Sequence, residues 1–162
     1  MPRLPVLHGQ FAGEVPDANL FATIAVRPEI AGAAGEHLRA VMQCGTVPAA
    51  TKALCAAMVS AINFCEPALV AYRREARAAG VSIDALNALW DFARSDHFTN
   101  AQKAALSAAV SLTREARALP DTVWNQLRAE YGDGEIVEIL CVIGIVNALN
   151  RVSNALQTPV TR

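Results

Sequence analysis

The sequence predicts an all-α protein, a bundle of about seven helices. Three observations carry this. No stretch alternates apolar and polar residues for long enough to build a strand. Apolar residues make up 53% of the 162 and charged residues 18%, the reverse of the balance that keeps a chain disordered. Prolines, glycines and capping side chains divide the chain into segments of helical length with short connections, which favours antiparallel packing.

Residues 1–16 carry three prolines and two glycines and read as an extended arm; residues 17–162 form one helical domain. Pro28 suits the first turn of a helix over Glu29–Met42. Gly45-Thr46-Val47-Pro48 breaks the pattern, and a helix from about Pro48 to Phe64 follows. Pro67 lacks an N–H, so it ends that helix and opens the next, which Gly80 closes. Ser82 caps a helix to about Ala93. Thr99-Asn100-Ala101-Gln102 fits a capping box for a helix to about Arg117. Pro120-Asp121 starts another, ending near Tyr131-Gly132, and Asp133 caps a long C-terminal helix to about Leu156.

Composition bounds function. A net charge of −1 predicts neither nucleic-acid nor membrane-surface binding. The longest apolar run, Ile139–Val146, is far short of the roughly 20 residues a bilayer-spanning helix needs. The N-terminus has no continuous apolar core or cleavage site of a signal peptide, so a cytoplasmic location is expected. There Cys44, Cys55, Cys65 and Cys141 are free thiols, and their spacings match no zinc pattern. No motif for a metal, flavin, haem or nucleotide is present, so no cofactor is expected. The apolar excess exceeds what a small monomer buries and predicts self-association.

The stretch Ile62–Gly80 is the most informative. Cys65 stands where one apolar helix ends and the next begins, and free N–H groups at a helix start favour a thiolate. Cys65 is therefore either a nucleophilic or redox thiol, or a small buried hydrophobe. Glu66 beside it is a candidate carboxylate base, and Tyr72 lies on the Cys65 side two turns on. His97 stands in the loop before Thr99 and is the histidine best placed for chemistry. Asn147, Asn150, Arg151 and Asn154 make a polar stripe on an apolar helix, which lines a substrate pocket, an interface or solvent. Arg73, Arg74 and Arg77 read as a solvated face.

The segment from Cys65 to Glu75-Ala76…Gly80 resembles the thiol motif of the AhpD-like and carboxymuconolactone decarboxylase families, in its peroxidase-related branch. Their pattern is Cys-x-x-Cys-x-x-x-His before a helix ending Glu-Ala-x-x-x-Gly. Collinear similarities extend it: Val15-Pro16…Asn19-Leu20-Phe21, Arg27-Pro28-Glu29, Phe98–Leu106, Glu135–Ile139 and Asn147–Arg151. The resemblance implies an AhpD-like helical bundle that assembles as a homodimer, trimer or hexamer, with pockets near subunit contacts. It places the chemistry at Cys65 and Tyr72.

The departures limit that chemistry. The second Cys position is Ala68, which cannot resolve an oxidised Cys65, and the His position is Tyr72, whose ordinary pKa is near 10. The family's relay Glu corresponds to Ala53, beside Lys52. Cys55 precedes Cys65 by almost three helical turns, too far to be a resolving thiol. Three functions follow. One is a cofactor-independent enzyme acting on a small organic molecule by acid/base chemistry, as a decarboxylase, lyase or isomerase. The second is a single-cysteine alkyl hydroperoxidase-like antioxidant protein, and the third a non-catalytic binding or scaffold descendant. In the enzyme, Cys65, Glu66, Tyr72 and His97 are the candidate catalytic residues. Asn147, Asn150 and Arg151 are the candidate substrate-binding residues, and the expected pocket lies between Cys65–Tyr72, Phe92–Phe98 and Asn147–Arg151.

Overall fold

The computed structural model describes residues 1–7, 15–115 and 117–160. Among these there is no strand. The order is α1 (Ala18–Ile24), α2 (Pro28–Gln43), α3 (Ala49–Ile62), α4 (Glu66–Ala78), α5 (Ile83–Asn87), a 3₁₀ turn (Leu89–Asp91), α6 (Asn100–Glu115), α7 (Asp121–Glu130) and α8 (Asp133–Leu156). Two elements differ from expectation. Helix α1 is additional, and the segment 82–93 divides into α5 and the 3₁₀ turn rather than one helix. The predicted arm is described at residues 1–7 and 15–16; in the first part Arg3 N–H bonds the Leu156 carbonyl and Leu7 N–H the Ala22 carbonyl. Its residues 8–14 lie outside the described residues.

Helix α3 is the centre of the bundle. Thr51–Ala61 are buried on every face, because alanines let α4, α6 and α8 approach closely around it. Met58, Leu54, Leu106, Ile139 and Ile143 fill the core between these helices, each burial stabilising by roughly 1.5–3 kcal/mol before entropy is counted. A smaller cluster of Leu20, Phe21, Leu38 and Leu149 fastens α1 to α2 and α8. By length and composition α8 suffices to span a bilayer, but half of its apolar window is buried against these neighbours.

The punctuation acts as the sequence indicates. Gly80 sits at φ +91° after α4, and Val81 N–H reaches back to the Ala76 carbonyl. The Ser82 hydroxyl accepts the Ala85 N–H at 3.0 Å. Thr99 and Gln102 exchange both capping-box bonds, at 3.0 and 3.1 Å. For α8 the cap is Gly132, not Asp133, with Glu135 accepting the Gly132 N–H at 3.0 Å.

An ion pair between buried Lys52 and half-buried Glu138 fixes the α2–α3 loop. Lys52 is 2% exposed; its Nζ lies 3.0 Å from Glu138 Oε2 and donates to the Cys44 carbonyl. Glu138 also accepts the N–H groups of Thr46 (2.9 Å) and Val47 (3.1 Å). Desolvation opposes ionisation of Glu138, but these donors and Lys52 hold its pKa below the ordinary value. Gly45 completes the corner at φ +88°, where a Cβ would stand 2.1 Å from the Glu138 carboxylate.

Candidate active site

Two helix starts converge on one buried cluster. Asp17 is the N-cap of α1, its Oδ1 accepting the Leu20 N–H at 3.2 Å. Cys65 is the N-cap of α4, fully buried, with no side-chain capping bond. From Cys65 the α-helical rise brings Tyr72 to the same side, also buried. The C-terminal end of α8 supplies Ser153, which pairs with Thr158 across the helix stop at Gln157.

The electrostatics of this cluster are set by burial. The Asp17 carboxyl is 4% exposed, and its Oδ2 has no hydrogen-bond partner among the described residues. Desolvation raises its pKa from 3.8 to about 6, against the Leu20 N–H. Burial also pushes the Cys65 thiol up, and the Asp17 charge adds to this. The Ser153 hydroxyl and the Ala68 N–H act in the opposite sense and are overcome. The helix start therefore does not yield the thiolate that its polarity alone suggests. Tyr72 is raised by burial first, then by the charges of Asp17, Cys65 and Glu75.

A groove of about 980 Å³ runs beside the cluster. Its walls include Pro16 and Ala18 on either side of Asp17, Arg39 of α2, Lys52 and Ala53 of α3, and Glu75 of α4. Ala53, the position that corresponds to the family's relay Glu, thus lines this groove, whereas Asp17, Cys65 and Tyr72 are buried behind its wall rather than in its lining.

Of the candidate residues, the structure brings Cys65 and Tyr72 together. Glu66 is exposed in the first turn of α4. His97 is exposed and lines a different cavity, of about 280 Å³, with Phe98, Gly80 and Gln102. Asn147 and Asn150 are buried in a seam that joins α8 to its neighbours. Asn147 Nδ2 donates to Thr113 Oγ1 and the Ile143 carbonyl, both at 3.0 Å, and its Oδ1 accepts from Asn63 Nδ2 at 2.9 Å. Asn150 Nδ2 donates to Ser60 Oγ at 3.1 Å. Arg151, exposed, donates to the carbonyl and amide oxygens of Asn147 at 3.3 and 3.4 Å. The expected Phe92–Phe98 wall is divided: Phe92 lines a further cavity between α6 and α7, and His97 and Phe98 line the one beside Gly80.

Sequence reasoning missed Asp17. Its signal was present as an Asp directly after Pro16, ahead of the apolar run Leu20-Phe21-Ala22, which marks a helix N-cap. Ser153 had no such signal. Among the described residues no three His, Cys, Asp or Glu side chains gather as metal ligands.

The fold is shared with known proteins. ATU0492 of Agrobacterium tumefaciens, a protein of unknown function provisionally assigned to antioxidant defence as an AhpD, is 26% identical. It superimposes with a TM-score of 0.80 over 86% of this chain and 96% of its own. The AhpD-core, peroxidase-related protein of Ralstonia eutropha JMP134 is 16% identical, with a TM-score of 0.82 over 99% of this chain and 92% of its own. A cysteine-to-alanine variant of the debrominase Bmp8, in complex with 2,3,4-tribromopyrrole, is 22% identical, with a TM-score of 0.81 over 88% and 76%. In sequence, residues 28–111, just over half of the chain, match a single family from the start of α2 through Cys65 into α6. This chain, with its AhpD-like bundle, belongs to the carboxymuconolactone decarboxylase family.

Proposed function

We propose that this protein is a cofactor-independent enzyme that acts on a small organic molecule by acid/base chemistry, of the decarboxylase, lyase or isomerase type, with Asp17 as the proton-transfer group. The observation that carries this is the buried Asp17 carboxyl, pKa about 6, with one oxygen unpartnered among the described residues beside Cys65 and Tyr72. Such a group takes and returns a proton near neutral pH. Oδ1 is held by the Leu20 N–H, and Oδ2, without a partner among the described residues, is the oxygen assigned here to the substrate. Tyr72, raised in pKa, stays a phenol and serves as a hydrogen-bond donor to developing negative charge. Cys65 stays a thiol in the same wall. Asp17 takes the role for which sequence reasoning considered Glu66 and His97. That a protein of this fold is found with 2,3,4-tribromopyrrole is consistent with a small, flat guest.

The test is proton NMR in D2O with a set of lactone carboxylic acids and β-keto acids. The wild type is expected to accelerate decarboxylation or deuterium exchange of at least one. Asp17→Asn, which keeps the cap, is expected to abolish it, and Cys65→Ser to retain most of it. Activity that survives Asp17→Asn overturns the assignment.

A second reading rests on Cys65 and the likeness to ATU0492. The Cys65 thiolate attacks a hydroperoxide O–O bond, forming a sulfenic acid and releasing the alcohol. An external thiol then reduces it in two steps, since Ala68 cannot resolve it. Sustained hydroperoxide reduction that requires both added thiol and Cys65 would favour this reading. We also propose self-association, since Phe64, Ile30 and Trp90 are 90%, 63% and 61% exposed. Light scattering at low micromolar concentration is expected to give at least twice the 17.2 kDa chain mass.

A further inference from the structure

Two opposite charges face the same groove without meeting. Arg39 projects from α2, half-buried, and makes no hydrogen bond or ion pair among the described residues. Glu75, exposed on α4, lines the same groove, and its side chain likewise makes no hydrogen bond or ion pair among them. Lys52, in the floor, is already neutralised by Glu138 and bonded to the Cys44 carbonyl. Among the described residues the groove therefore holds a guanidinium, that of Arg39, whose donors are uncommitted, and a carboxylate, that of Glu75, that repels a second negative charge. The same lining includes the apolar side chains of Leu38, Met42 and Ala53, and Pro16 and Ala18, the sequence neighbours of Asp17.

We infer that this groove binds a small organic monocarboxylate, its carboxylate held by Arg39 and its body directed toward Asp17. The inference rests on the acid/base reading for what happens to the molecule, not for its binding. A guanidinium presents paired N–H groups that match the two oxygens of a carboxylate, and partial burial strengthens the bond. Apolar walls suit a flat or aliphatic body. Glu75 disfavours a dianion and accepts a hydrogen bond from a neutral far end.

The probe is benzoate, with benzamide and terephthalate as comparisons, titrated into 15N-labelled protein. Benzoate is expected to shift the amide signals around Arg39, Ala53 and Glu75. Arg39→Ala is expected to weaken it about tenfold or more, and Arg39→Lys less, as for loss of a charge-assisted bond. Benzamide is expected to bind about tenfold more weakly than benzoate in the wild type, since it lacks the charge Arg39 pairs. Terephthalate is expected to bind more weakly than benzoate, and Glu75→Gln to narrow that gap. Absence of benzoate shifts, or equal binding in Arg39→Ala, overturns the inference. The Asp17→Asn variant is expected to bind benzoate like the wild type. Benzoate binding with the expected Arg39 dependence, together with activity that survives Asp17→Asn, would sink the acid/base reading alone, whereas Asp17-dependent chemistry with no benzoate binding would sink this inference alone.

Discussion

Asp17 and Cys65 are the N-cap residues of α1 and α4, and the charge on Asp17 raises the pKa of the Cys65 thiol. Two helix starts, 48 residues apart in sequence, thus point into one buried volume. A helix start normally stabilises an anion. Here burial outweighs that field at both positions, so both groups hold their protons more tightly than in water.

The first consequence is a pH-dependent stability. The folded pKa of Asp17 is about 6 against an ordinary 3.8. Between these values the folded chain binds a proton that the unfolded chain has released, so stability falls as pH rises through this window. At about 1.4 kcal/mol per pH unit the loss is about 3 kcal/mol, complete above the folded pKa. Urea titrations at pH 4 and pH 7 are expected to show this difference for the wild type relative to Asp17→Asn. Parallel pH profiles for the two proteins would mean that Asp17 is solvated.

The second concerns the thiols. Cys44 is exposed, Cys141 half-buried, and Cys55 and Cys65 buried. Burial lifts the Cys55 thiol to about 12 and raises Cys65 as well. Iodoacetamide at neutral pH is expected to label Cys44 first, Cys141 next, and Cys65 and Cys55 only as the fold opens. Peptide mapping by mass spectrometry reads the order. Labelling of Cys65 ahead of Cys44 would restore the activated thiol that the sequence suggests.

The third separates stability from chemistry on α8. Asn147→Ala leaves the buried Thr113 hydroxyl and the Asn63 amide without their partner. It is expected to cost about 2–3 kcal/mol and to lower the melting temperature by roughly 5–10 °C. Asn150→Ala is expected to cost less, about 1–2 kcal/mol, because Ser60 Oγ keeps its bond to the Ala56 carbonyl. Turnover per folded molecule is expected to stay within about threefold for both, since their side-chain bonds go to Thr113, Ile143, Asn63 and Ser60 and none to Asp17. Loss of turnover with an unchanged melting temperature would place these amides against the substrate.

The local rules of the chain determined much of the fold. Pro67, Gly80, Ser82 and the Thr99–Gln102 box act over three or four residues, through bonds that a sequence displays directly. The family motif fixed Cys65 and Tyr72, seven residues apart on one helix face, for the same reason. Only the tertiary structure decided what surrounds them. Asp17 meets Cys65 because α1 packs on α2 and α8 through Leu20, Phe21, Leu38 and Leu149. Arg39 and Glu75 face one groove because α2 and α4 flank α3. Asn147 and Asn150 became internal struts because α3 and α6 present Ser60, Asn63 and Thr113 to them. Desolvation, which sets the pKa of Asp17, Cys65 and Tyr72, is a property of the packed surroundings, and periodicity along one helix does not encode which other helix will cover it.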